Sequence, residues 1–86
     1  LDLIGQRAML LEALAALPGV KTWPSEANMI LIRVPDAQKT FDGLRQRGVL
    51  VKNISKMHPL LARCLRLTVG TVEENQRLLD ALRETL

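Results

Sequence analysis

The sequence has no tyrosine, and only one tryptophan, one phenylalanine, one cysteine and one histidine among its 86 residues. So few aromatics leave no stacking platform of the kind RNA-binding sheets use, and RNA is set aside as a partner. Cys64 has no second cysteine to pair with, which excludes an internal disulfide scaffold. His58 and Cys64 alone cannot assemble a structural zinc site. No apolar run approaches the roughly 18–20 residues that span a bilayer, so no membrane segment is expected. The phosphate-cradling and dinucleotide-binding glycine patterns and the G-x-S-x-G elbow are absent. Charge of one sign is also in short supply. Twelve Lys+Arg against nine Asp+Glu leave +3, scattered along the chain, which does not imply nucleic acid. The chain opens on Leu1 with no basic segment leading into an apolar one, so no secretory signal is expected and the chain reads as a fragment of something longer.

What is there is aliphatic. Hydrophobic residues make up 48% of the chain, enough apolar surface to offset chain entropy, so the sequence is read as one folded domain over residues 1–86. Asp2 to Leu17 is built from good helix formers, with Ile4, Ala8, Leu11 and Ala15 on one face and Leu10, Leu14 and Leu17 beside it. Such a wide apolar stripe predicts a well-covered helix and suggests a missing partner domain. Pro18-Gly19 stops it. Val20 to Trp23 reads as extended, since Pro24 holds Trp23 out of the helical region. Residues 25–28 read as a turn. Met29 to Val34 is a nearly continuous apolar run, which suits a central strand or one buried on both faces. Asp36 is a plausible N-cap for a helix from Ala37 to Arg47, with Phe41 and Leu44 facing inward and Gly48 closing it. Val49 to Asn53 reads as a third strand. Ile54 to Arg63 is irregular, with one short helical turn between His58 and Ala62. In Leu65-Arg66-Leu67-Thr68-Val69 the apolar residues share one face and Arg66 and Thr68 the other. Thr71-Val72-Glu73-Glu74 is a capping box, and the helix it starts, Val72 to about Thr85, places Asn75, Leu78, Leu79, Leu82 and Leu86 on one stripe. The fold class expected is α+β: a two-layer sandwich, a small sheet of three to four strands with helices on one face.

Few residues carry chemistry. Arg66 stands mid-strand between two core leucines, and its fork of five donors can grip a carboxylate or phosphate with two parallel bonds. The same spacing also suits a solvated arginine paired with a helix glutamate, and periodicity leaves both readings open. Lys52 and Lys56 bracket the loop after the third strand, as an anion patch or as solvated lysines. Asn28 either caps its turn or meets a ligand. His58 reads as a surface or loop-packing residue in preference to a catalytic one, and Cys64 as a small buried hydrophobe in preference to a thiolate activated by the adjacent Arg63. Glu73 and Glu74 complement a helix dipole and are not spaced as an acid/base pair.

Three motifs occur in order: Ser25-Glu26-Ala27-Asn28-Met29-Ile30, Gly48-Val49-Leu50-Val51-Lys52-Asn53 and Cys64-Leu65-Arg66-Leu67-Thr68-Val69-Gly70-Thr71. Together they resemble the C-terminal small domain of the histidinol-phosphate aminotransferases, a family of fold-type I, pyridoxal-phosphate-dependent enzymes. The resemblance runs from about Leu14 to Leu82. It implies transfer of an amino group between L-histidinol phosphate and 2-oxoglutarate in histidine biosynthesis. It also implies that Arg66 anchors a substrate carboxylate, or the phosphate of histidinol phosphate. Lys52 stands where the family usually has Arg; it keeps the charge and loses the fork. Met29 stands where many relatives carry Phe. Asn28 matches an Asn at the mouth of the substrate site.

The resemblance places no catalytic residue in this chain. The Schiff-base lysine, the Asp on the pyridine nitrogen and the phosphate cup belong to a large domain upstream of Leu1. Pyridoxal phosphate is thus expected in the intact enzyme and not on this stretch alone. The implied partners are the chain's own large domain, a second copy in a homodimer, and small amino-acid and oxo-acid substrates, in the cytoplasm. Two alternatives stand beside it. Aromatic amino-acid aminotransferases share the Arg66 strand. A free-standing α+β ligand-binding or regulatory module fits less well, since the ferredoxin-like order is βαββαβ and this chain begins and ends with helices.

Overall fold

The structure is a computed structural model that describes residues 3–24 and 28–86. Its elements run α1 (Leu3–Ala15), β1 (Lys21–Pro24), β2 (Met29–Arg33), α2 (Ala37–Gln46), β3 (Lys52–Asn53), a single 3-10 turn (Pro59–Leu61), β4 (Cys64–Thr68) and α3 (Val72–Thr85). The expected Asp2 helix start, the Ile4 side chain and the turn at 25–27 lie outside the described residues.

Local chemistry sets the helix ends. The Asp36 side chain accepts from Lys39 N–H and starts α2. Thr71 and Glu74 form the capping box at α3: Glu74 N–H donates to Thr71 Oγ1 at 3.1 Å, and Thr71 N–H donates to Glu74 Oε1 at 2.9 Å. Gly48, which closes α2, takes φ +77°, in the left-handed region that costs glycine least.

The four strands form one antiparallel sheet in the order β1-β2-β4-β3. Alternation along β2 and β4 decides its faces. Ile30, Ile32, Leu65 and Leu67 are fully buried and share one core with Leu10 and Leu14 of α1, Leu44 of α2, and Leu78, Leu79 and Leu82 of α3. Each such side chain contributes about 1.5–3 kcal/mol of burial free energy. All three helices therefore cover one face, and the α+β sandwich is as expected. The other face carries Lys21, Trp23, Met29, Leu31, Arg33, Lys52, Cys64, Arg66 and Thr68, and no α-helix covers it.

Four expectations change in detail. β2 is a central strand, as one of its two readings had it, but it is not buried on both faces, because Met29 and Leu31 look out from the uncovered one and are only half-buried. The third strand shrinks to Lys52–Asn53, since Val49–Val51 splay from β4. On α1 only Leu10 and Leu14 are buried among the described positions; Ala8 and Ala15 are exposed and Leu11 and Leu17 half-buried. Its apolar residues surround the helix more evenly than one packed face can use. Leu86, past the end of α3, is 36% exposed rather than part of the core stripe.

Candidate anion-binding face

The register lays one continuous row across the sheet. Trp23 pairs with Leu31, Leu31 with Arg66, and Arg66 with Lys52. All four lie on the uncovered face. Arg66 and Lys52 are like charges set directly opposite each other, an arrangement that destabilises a sheet unless something negative lies between them. Arg66 is half-buried, Lys52 is exposed, and neither side chain has an ion pair or hydrogen-bond partner among the described residues. The alternative of a solvated arginine tied to a helix glutamate is not realised. The glutamates of α3 lie behind the sheet, where Glu74 closes its cap and Glu84 pairs with Arg47 Nε at 2.8 Å.

The other singled-out residues fall as follows. Asn28 is exposed at the end of β2. Its main-chain oxygen accepts from Val69 N–H at 2.7 Å, three residues along β2 from Leu31, the residue opposite Arg66. Lys56 is exposed in the Ile54–Arg63 loop. His58 is exposed, and its Nδ1 accepts from Leu60 N–H at 3.0 Å, capping the 3-10 turn. Cys64 is buried at 2% exposure, a small apolar filler at the start of β4. Glu74 is held below its ordinary carboxyl range by the Thr71 backbone N–H, then by the Thr71 hydroxyl.

Sequence reading missed Arg33 and its clamp. Arg33 Nε donates to Ala62 O at 3.1 Å and Nη2 to Leu60 O at 2.7 Å, while its guanidinium lies 5.1 Å from the centre of the Trp23 ring. The only advance sign was Pro24, which keeps Trp23 extended. A recess of about 380 Å³ opens beside the splayed edge, lined by Val49, Leu50, Thr68, Gly70, Glu74 and Arg77 among others. It does not include Arg66 or Lys52.

The described residues do not fit pyridoxal phosphate as a resident group. Lys21, Lys39, Lys52 and Lys56 are all exposed, so none offers the desolvated amine a Schiff base needs. At the start of α2 the Lys39 amide serves Asp36, and at the start of α3 the Glu74 amide serves Thr71. No group of three or more metal-ligating side chains occurs among the described residues.

Residues 2–82 match the family model "Aminotransferase class I and II". The chain is 71% identical over 85 residues to a histidinol-phosphate aminotransferase of Polaromonas naphthalenivorans (strain CJ2), covering 99% of this chain and 23% of that protein. Its fold superposes on a decarboxylase from Sulfurospirillum multivorans with a TM-score of 0.83 at 25% identity, covering 93% of this chain and 24% of the other. The histidinol-phosphate aminotransferase of Clostridium acetobutylicum gives the same TM-score, 0.83, at 19% identity, covering 93% and 25%; this likeness shows the fold alone. The chain spans about a quarter of the length of the proteins it matches. One sheet with helices on a single face, a C-L-R-L-T strand with its arginine on the bare face, and a family match over nearly every residue agree: this chain belongs to the class I and II aminotransferases.

Proposed function

We propose that the chain is the C-terminal small domain of a histidinol-phosphate aminotransferase and forms one wall of its substrate cleft. The observation that carries this reading is the unpaired Arg66 guanidinium opposite Lys52 on the uncovered face. Arg66 receives the carboxylate of the glutamate/2-oxoglutarate pair through its two-pronged fork. With histidinol phosphate, which lacks that carboxylate, the fork meets the phosphate. Lys52 adds a point charge to the same anion, and Asn28 lies at the rim of the site. The chemistry of amino transfer belongs to pyridoxal phosphate held by a large domain of the same protein, so this stretch alone binds no cofactor and is inactive. The wall moves as a unit when the cleft closes on substrate. The intact enzyme is a cytoplasmic homodimer. No helix of the described chain is long and apolar enough to cross a membrane.

The test is Arg66→Lys in the full-length enzyme. Replacing the fork by a point charge should raise KM for 2-oxoglutarate about tenfold or more. An unchanged KM overturns the anchor role.

A further inference from the structure

On the uncovered face Arg33 and Arg66 are diagonal neighbours, because Arg33 pairs with Cys64 and Leu31 with Arg66. Lys52 stands opposite Arg66. Three cations this close would repel one another if all pointed into one space. The Arg33 guanidinium is drawn away from the other two. Its two hydrogen bonds run to Leu60 O and Ala62 O, and its flat face lies over Trp23.

Those acceptors have a particular place in the chain. Leu60 and Ala62 lie in the segment that leads into β4, and Ala62 is followed by Arg63. Arg63 takes φ +63°, the only positive φ on a non-glycine residue among those described. A side chain in this left-handed region is strained and persists only where surrounding structure holds it. Here the holding groups are on β2 and its next residue. Arg33 holds two carbonyls on the approach to the bend, and Val34 N–H donates to Arg63 O at 3.0 Å. Three residues past this bend stands Arg66.

The geometry points to Arg33 as a positioning residue for the Arg66 anion site. By tying Leu60 and Ala62 to β2, beside the Val34 bond to Arg63 O, it fixes how the chain turns into β4 and so the line along which the Arg66 fork meets a carboxylate or phosphate. Its own donors are taken up by those carbonyls, which leaves the anion to Arg66 and Lys52. Trp23 backs the clamp from the edge strand. This inference rests on the anchor role of Arg66 proposed above.

The experiment uses the full-length aminotransferase with Arg33→Met, Arg33→Lys and, as a reference, Arg66→Lys. Steady-state kinetics with 2-oxoglutarate are read per bound cofactor, alongside thermal stability. Arg33→Met should raise KM about fivefold to twentyfold with kcat within about twofold, since misplacing a binding group by a fraction of an ångström weakens its geometry without touching the reacting atoms. Arg33→Lys should recover part of the loss, because an ammonium reaches one of the two carbonyls. A purely structural role would lower stability and the content of active enzyme at unchanged KM. A KM within twofold of wild type in Arg33→Met, while Arg66→Lys raises it, overturns the inference and leaves the anchor standing. A KM unchanged in Arg66→Lys as well removes the functional reading itself. Should Arg33→Met not fold, Arg33→Gln is judged by the same criteria.

Discussion

Gly43 of α2 lies so close to Thr85 of α3 that a Cβ built at position 43 would overlap the threonine's Cγ2. The two helices approach here because one has no side chain. In an exposed helix Gly→Ala gains about 1 kcal/mol of helix propensity. Here the sign should reverse, and Gly43→Ala should destabilise the chain by about 1–3 kcal/mol through overpacking. Thr85→Ser removes Cγ2 and keeps the hydroxyl that bonds Ala81 O and Leu82 O. The double variant should therefore recover much of the loss in urea unfolding. Additive losses would mean the contact is not the cause.

Asn75 is the polar member of an otherwise apolar stripe, and its amide is fully used. Oδ1 accepts from Gly70 N–H at 2.9 Å, and Nδ2 donates to Gly70 O and to Gln6 Oε1, both at 3.2 Å. It thus ties α1 and the β4–α3 turn to α3. Asn75→Leu matches the leucine pattern of the sequence but strands those partners. It should cost about 1–3 kcal/mol, measured as the shift in denaturation midpoint. A neutral or stabilising result would show that the stripe prefers to be wholly apolar.

Lys52 opposite Arg66 sets stability against binding. Lys52→Glu would turn the repulsive pair into an attractive one and should stabilise the chain by about 0.2–1 kcal/mol at low salt. The same change should weaken anion binding in the full-length enzyme, seen as a raised KM for 2-oxoglutarate. Loss of stability, or an unchanged KM, would count against a shared anion site.

The carboxyl of Glu74 titrates below its ordinary value of 4.5 in the folded chain, chiefly because the Thr71 backbone N–H donates to its charged form. A depressed folded pKa adds stability above pH 4.5, and that share is lost as pH falls through the folded value. Melting temperature followed from pH 6 to pH 3 should therefore fall less steeply in Glu74→Gln than in wild type. Parallel profiles would show that the box contributes nothing pH-dependent.

Much of this fold was legible because its signals are local. The Thr71–Glu74 box and the spacing of Leu78, Leu79 and Leu82 place α3 without reference to any other segment. The alternation in Leu65–Thr68 puts Arg66 opposite the core before any partner strand is known. The failures are tertiary. Met29–Val34 is apolar on both faces, and composition alone does not separate a central strand, which it is, from a doubly buried one, which it is not. Val49–Val51 has strand-like composition and still diverges from β4. The Arg33 clamp was invisible for another reason: two of its three partners are backbone carbonyls some thirty positions away, and any residue supplies a carbonyl. Arg66 and Lys52 could each be singled out, whereas their opposition depends on a register that no short motif encodes.

The sheet's two rims have a further consequence for how the chain behaves among copies of itself. One rim is β1, four residues that include an exposed Lys21 and finish at a proline with no amide hydrogen to offer; the other is β3, a mere two residues with a lysine at its start. Neither gives a neighbouring molecule a long, flat ladder to extend. Short, charged, proline-ended rims of this kind shield a chain from stacking edge to edge into fibres.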